Sequence, residues 1–425
     1  MFRTLFLIPH EFAGIPIFGA GWLLMAIAIA FVIRLGWAAR KGHAGDVLKI
    51  EGTMWLIAAA LVLLVLPRVE LNNVDGDPVG VALRGYGFFL LLGVVSAVAA
   101  ACYRAKQAGL NPDLILGLAP WTFCGGLIGA RLFYVIQYWE TYAAESWTET
   151  LGNAFAFTGG GLVVYGGFVG GFLASCFFLL RQRLPLLRLG DVIVPCIFIG
   201  LMFGRLGCLM NGCCYGGRCD PGSTSIEFPP GSAVYQDQLL SGELVGLDVD
   251  KDQNIIAVSS NSLAEKAGIE TGQTLDRLSL DSSFSYQSPK NVPEDEALVG
   301  LALMVDGQVH LWSPQQLPDR ALPVRATQVI SSATGAAMAM LLWGLGWIWK
   351  RQAGYRDGFL MLVGFSSYAV VRFILEWVRV DESGQFGTSF SISQWVSIAV
   401  LALSIAGLGW VRKRRPPAVA NQSPP

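Results

Sequence analysis

The stretch Asp191–Asp220, DVIVPCIFIGLMFGRLGCLMNGCCYGGRCD, decides how this chain is built. An apolar run from Val192 to Phe203 leads directly into an arginine, an asparagine and four cysteines. At 1.5 Å per residue, about 20 apolar residues cross a hydrocarbon core of roughly 30 Å, so residues 192–209 read as a membrane-crossing helix. Arg205 then lies roughly 20 Å along that crossing. A charge at such depth costs roughly 2.5–3.5 kcal/mol unless it faces a cavity or a partner.

The rest of the sequence has the same character. Of 425 residues, 53% are hydrophobic and only 14% charged, and the mean hydropathy is +0.51. These values place the chain among integral membrane proteins. The formal net charge of −1 excludes the global basic field of a nucleic-acid binder. Apolar runs fall at 17–36, 52–66, 85–103, 114–136, 161–180, 192–209, 329–349, 359–377 and 392–410. The first has no cleavage pattern behind it and reads as a retained span. The expected fold is therefore an all-α polytopic membrane protein of about nine transmembrane helices.

Loop charges alternate along this series. Arg40, Lys41 and Lys49 are followed by Glu70, Asp75 and Asp77, then by Arg104 and Lys106, Glu140, Glu145 and Glu149, and Arg181, Arg183 and Arg188. Lys350, Arg351, Arg356 and the tail from Arg412 to Arg415 continue the basic side. The positive-inside rule then puts the N-terminus outside and the C-terminus in the cytoplasm. Glycines four apart (Gly125 and Gly129, Gly166 and Gly170, Gly167 and Gly171, Gly200 and Gly204) are candidates for close helix packing. A weak echo between GIPIFGAGWLLM and GVALRGYGFFLL reads as a partial duplication that added the first two spans.

One loop differs from the rest. Between the sixth and seventh spans the chain turns polar and acidic, which predicts a small extracytoplasmic α+β domain. LVGLDVD, NIIAVSS, NSLAEKAGIETGQ and TLDRLSL read as strand, strand, capped helix, strand, an order that resembles a PDZ domain. Such a domain takes a peptide as an added strand. A purely structural insert is the competing reading. The expected organisation is 1–83, two extra helices; 84–216, the first part of a membrane core; 217–325, the insert, PDZ-like over 239–314; 326–411, the last three helices; and 412–425, a basic, Pro-rich tail.

With that orientation, Tyr86, Tyr165 and Gln394 start inward-running spans, and Arg131, Arg205 and Arg372 end outward-running ones. All six belong to the outer half of the membrane. Three arginines at one level require anions. Glu376, one turn beyond Arg372, and Asp191 supply some pairing, and a phospholipid phosphate is the natural remaining ligand.

These residues also carry a family resemblance. GRLGCLMNGCCYG at Gly204, RGYGFFL at Arg84, GGLIGARLFYV at Gly125, GGGLVVYGG at Gly159, VRFILEWVRVDE at Val371 and FSISQWVSI at Phe390 resemble, in order, the motifs of prolipoprotein diacylglyceryl transferases. The resemblance implies transfer of diacylglycerol from phosphatidylglycerol to the lipobox cysteine of a prolipoprotein signal peptide, at the bacterial inner membrane. It implies catalytic roles for Arg205, Arg372, Asn211 and the Tyr165 position, and lipid contacts from Arg205, Tyr86 and Gly216, to which the depth reading adds Arg131, Glu376 and Gln394. The chain departs from the family pattern where Tyr165 stands for a histidine, Cys208 for an asparagine and Cys213 for a glutamate, and where Arg325, Ala326, Thr327 and Gln328 replace a His-Pro-Ser-Gln stretch. The departures at Tyr165, Cys208 and Cys213 feed a second reading, an inactive member that binds lipid and envelope peptides.

With only His10, His43 and His310 in the chain, no histidine base is available in the matched core. A thiol of pKa about 8.5 ionises at neutral pH for roughly 2 kcal/mol, which nearby arginines can supply. For Cys208, Cys213, Cys214 and Cys219, one or two disulfides are the leading reading in an oxidising compartment. Packing thiols come next. The spacing lacks the C-x2-C pairs of zinc sites, so neither metal nor cofactor is expected.

Overall fold

The computed structural model describes residues 3–18, 21–40, 52–142, 146, 161, 163–222, 224–250, 252–288, 292–294, 297, 299–349, 355–377 and 387–413. Lys41, Lys49, Glu145, Glu149, Lys350, Arg351, Arg414 and Arg415, used above for orientation, lie outside the described residues. So do Gly159, Gly160 and Leu162 of one motif and residues 378–382 of another.

Each apolar run forms helix. Among the described residues, seven helices are long and apolar enough to cross a membrane: Trp22–Arg40, Gly85–Gln107, Asp113–Gln137, Leu186–Asn211, Thr327–Trp349, Phe359–Glu376 and Ile392–Lys413. The second and fifth runs form shorter helices. The fifth is Val164–Arg181. The second runs Gly52–Ala60, then as a π-helix through Leu61–Val65, then Leu66–Val69. Pro67 is the physical cause, because its nitrogen carries no hydrogen and its ring crowds the carbonyl four residues back. The ladder steps out by one residue, and Leu66 N–H bonds Leu61 O.

The chain divides into two compact units, 89–206 with 327–425 and 1–88 with 207–326. In the first unit, the fourth and fifth helices meet backbone to backbone. A Cβ at Gly129 would run into Gly166 O and Gly170 Cα, and one at Gly125 into Gly170 O. This is the close approach that small residues four apart allow. The Gly200 and Gly204 pair does not act this way, since Gly204 faces open space. The sixth, seventh and eighth helices share a core of Val194, Phe198, Met338, Leu342 and Leu360.

Two charges in this unit have places the sequence did not indicate. Arg104, read as a loop charge, is only 4% exposed. Its guanidinium donates to Val192 O at 2.9 Å and Asp191 O at 3.1 Å and lies 4.9 Å from the ring centre of Trp343. The Asp191 carboxylate accepts from Tyr355 Oη (2.6 Å), Gly358 N (2.7 Å) and Met361 N (2.8 Å), which ties the start of the sixth helix to the turn before the eighth. It therefore pairs with none of the three arginines grouped as an anion site. Burial and the neighbouring Asp191 carboxylate push the Tyr355 phenol well above its ordinary value.

The second unit is not wholly helical. Thr4–Pro9 pairs antiparallel with Pro78–Arg84, which also pairs with Leu71–Asn72. The segments before the first and third helices are thus strands. The insert has its own core, with Phe228, Val234, Leu239, Ile255, Leu301 and Leu303 all buried. Leu247–Val249, Ile255–Val258, a short helix Leu263–Lys266 and Leu275–Asp281 follow in the expected order. Ser262 caps the helix, accepting from Glu265 N at 3.1 Å. The core reaches outside 239–314 to Phe228 and Val234 on one side and Leu317, Ala321 and Val324 on the other.

The two ends of the insert are held together. Val324–Arg325 pairs with Ser225–Ile226. Gly216 N donates to Arg325 O (3.0 Å), Arg325 N to Gly217 O (3.0 Å) and Cys219 N to Pro323 O (3.1 Å), so the insert is closed by a backbone neck.

Candidate functional site

A narrow cleft of about 20 Å³ opens among the sixth, seventh and eighth helices, lined by Arg205, Arg372, Tyr368, Ser331, Thr334 and Phe198, among others. Arg205 and Arg372 were both expected at one level, and the structure puts them on one cleft. They differ in what they hold. Arg372 Nη1 pairs with Glu376 Oε2 at 2.6 Å, one helical turn on, and both side chains are largely buried. Glu376 Oε1 also accepts from Ser391 Oγ at 3.0 Å. Arg205 makes no hydrogen bond or ion pair among the described residues. Of the two cationic groups in the cleft, Arg205 therefore carries the uncompensated charge.

Ser393 is the residue the sequence reading missed. Its hydroxyl accepts from Arg372 Nη2 at 2.8 Å and shares a short hydrogen bond with Tyr165 Oη. The result is a chain Tyr165, Ser393, Arg372, Glu376 drawn from the fifth, eighth and ninth helices. Tyr165 and Ser393 are 228 residues apart, so no local pattern could have joined them. Tyr368 had a readable signal, since it precedes Arg372 by four residues and so shares its helix face.

Gln394 starts the ninth helix. Its Oε1 accepts from Ser391 N at 3.0 Å while Ser391 Oγ accepts from Gln394 N at 3.3 Å. This reciprocal pair is a capping box, legible in the sequence SISQ. It fixes the backbone turn from which Ser393 points. Arg131, also expected here, is 4% exposed and does not line the cleft. It donates to Gly161 O at 3.2 Å and lies 5.7 Å and 5.2 Å from the ring centres of Tyr134 and Tyr142.

A second, apolar cleft of about 310 Å³ lies in the same unit, lined by Phe168, Phe172, Leu179, Ile193, Ile197 and Phe365, among others. Its shape and lining suit an acyl chain.

The remaining expected residues belong to the other unit. Tyr86 is 42% exposed and packs where a Cβ on Gly207 would touch its backbone. Asn211 ends the sixth helix, and its side chain bonds the Cys213 thiol. Gly216 is buried in the neck. None of the eight cysteines is bridged, which departs from the disulfides expected for Cys208, Cys213, Cys214 and Cys219.

The prolipoprotein diacylglyceryl transferase family profile matches residues 78–410, which takes in every residue of both clefts. The chain belongs to that family. It is 48% identical over its whole length to the phosphatidylglycerol–prolipoprotein diacylglyceryl transferase of Rhodopirellula baltica, covering 92% of that protein. It is also 32% identical to transferase 2 of Clostridium perfringens over 39% of this chain and 65% of that protein. The similarity to the Rhodopirellula protein extends through the two N-terminal helices and the insert.

Proposed function

We propose that this chain transfers the diacylglyceryl group of phosphatidylglycerol to the cysteine thiol of a prolipoprotein signal peptide and releases glycerol phosphate. The observation that carries this reading is Arg205, an unneutralised guanidinium on a cleft within an apolar helical unit, beside an arginine already paired. Such a group calls for an anion. A phosphate monoester leaving group supplies one, and a guanidinium can hold two of its oxygens at once.

In the reaction, the thiol proton passes to solvent and the thiolate attacks the glyceryl carbon of the lipid. The sulfur–carbon bond forms as the carbon–oxygen bond to phosphate breaks, and the electron pair leaves with the phosphate. Arg205 meets the growing negative charge there, where low dielectric strengthens the interaction. Arg372, its charge balanced by Glu376, holds Ser393 and through it Tyr165, and so shapes the wall. Roughly 2 kcal/mol of thiol ionisation at neutral pH is within reach of one such cation. Tyr86, Asn211, Gly216 and Gln394 complete the lipid and peptide contacts by family pattern, and the apolar cleft takes an acyl chain. The protein works in a bacterial inner membrane with nine crossings, N-terminus outside and C-terminus cytoplasmic, and the PDZ-like insert meets envelope peptides.

The experiment uses purified full-length protein in detergent with phosphatidylglycerol and a lipobox peptide. One glycerol phosphate should appear per diacylglyceryl thioether formed, and a peptide with serine for cysteine should give neither. Folded protein that binds both substrates and transfers nothing would leave the inactive, binding-only reading standing.

A further inference from the structure

Cys208, Cys213 and Cys214 place their three Sγ atoms within 4.8 Å of one another, each sulfur partly buried. The backbone explains why. The sixth helix ends in a Schellman motif, with Gly212 at φ +71°, Cys213 N donating to Cys208 O at 3.1 Å and Gly212 N to Leu209 O at 3.3 Å. That motif brings the residue just beyond the glycine against the residue three before the cap. Here those two residues are Cys213 and Cys208. Cys214, itself in the left-handed region at φ +59°, then turns its sulfur back onto the same spot. Cys208 Sγ is in hydrogen-bonding contact with both other thiols.

We infer that these three cysteines form a binding site for a thiophilic d10 cation of the zinc, cadmium or monovalent copper class. Thiolate ligands about 2.3 Å from a tetrahedral ion stand roughly 3.8 Å apart, so the sulfurs need close by no more than about 1 Å. Soft thiolate donors select this class of ion. The site also stands on the last carbonyls of a helix, whose partial negative charge favours a cation. Three sulfurs meeting at one point suit a metal better than a disulfide, which uses two and strands the third. Cys219, bonded into the neck through its own N–H, takes no part. Binding a divalent ion converts three thiols to thiolates, releases three protons to solvent and leaves the fourth tetrahedral position to an outside donor, water or a thiol. The absence of a C-x2-C pair, which argued against metal in the sequence, is offset by the helix-ending turn.

The test is a cadmium titration of the full-length protein, purified in detergent under reducing conditions and stripped with chelator. One equivalent of Cd²⁺ should bind with a thiolate-to-cadmium charge-transfer band. Loss of even an outer-shell partner typically weakens a metal site 10–100-fold, so Cys208→Ser, Cys213→Ser and Cys214→Ser should each cost at least roughly that much. Cys219→Ser and Cys124→Ser should bind as the parent does. Should a serine variant fold poorly, alkylation of the parent protein serves instead, and cadmium should protect these three thiols and no others. Binding that ignores the three substitutions, protection of a different set, or a disulfide between two of the three in protein isolated without reductant would each overturn the site. None of these readouts depends on transfer activity.

Discussion

Arg104 and Arg205 are both arginines set in long apolar helices, and the protein treats them in opposite ways. Arg104 is buried, spends its donors on the carbonyls of Asp191 and Val192 and lies against Trp343. Its charge is used up in joining the third and sixth helices. Arg205 lines a cleft and has no hydrogen bond or ion pair among the described residues. Both costs of burying a charge are real, but one is met inside the fold and the other awaits a ligand. Saturation of the donors, rather than depth or residue type, separates a structural cation from a binding one.

The contrast can be broken most directly at Arg205. Arg205→Ala should lower transfer by roughly 2–4 kcal/mol of transition-state stabilisation, as for other preorganised anion sites. Arg205→Lys should fall nearly as far, because a lysine keeps the charge and loses the planar fork. Initial rates with phosphatidylglycerol and a lipobox peptide measure this, and a fully active lysine variant would end the clamp account. Arg104→Met should show the reverse pattern. The Asp191 carbonyl loses its guanidinium donor and Val192 O keeps only its Cys196 thiol contact, which costs about 1–3 kcal/mol of stability, while transfer per folded molecule stays at the parent level. Thermal unfolding in detergent, read beside specific activity, separates the two.

Ser393→Ala sharpens the comparison, since it cuts the link between Arg372 and Tyr165 without altering either side chain. A loss of about 1 kcal/mol, roughly fivefold in rate, is expected. Tyr165→Phe should cost least, below about 0.5 kcal/mol or roughly twofold, because the hydroxyl positions Ser393 and takes no proton in the proposed step. Were Tyr165→Phe to abolish transfer while Ser393→Ala did not, Tyr165 would be the base.

What the sequence made legible was what depends on local spacing. Apolar runs gave the helices, glycines four apart gave the contact of the fourth and fifth helices, and Glu376 one turn after Arg372 gave their ion pair. Four things were hidden, each for a physical reason. Arg104 looks like any basic residue near a helix end until Val192 comes beside it from another helix. Ser393 joins two residues from other helices, one of them 228 positions away. Cys208, Cys213 and Cys214 have no recognised metal spacing, and only the reversal at Gly212 brings their sulfurs together. The strands were overlooked as well, because Pro78–Arg84 runs straight into the apolar helix at Gly85 and Thr4–Pro9, its distant partner, is a short apolar stretch without polar alternation.

The neck that closes the insert also bears on how such a protein can change over generations. Between Ser225 and Arg325 the chain leaves and returns through adjacent antiparallel strands, whose Cα atoms stand about 5 Å apart. Doubling the length of a flexible loop closed in this way costs only about 0.6 kcal/mol in chain entropy. Any domain whose own termini lie side by side satisfies the same junction. Growth, shrinkage or wholesale exchange of the sequence beyond the neck is therefore nearly neutral for the strands that form it. Descendants of this chain can acquire new modules at this one seam while the residues around Arg205 stay as they are.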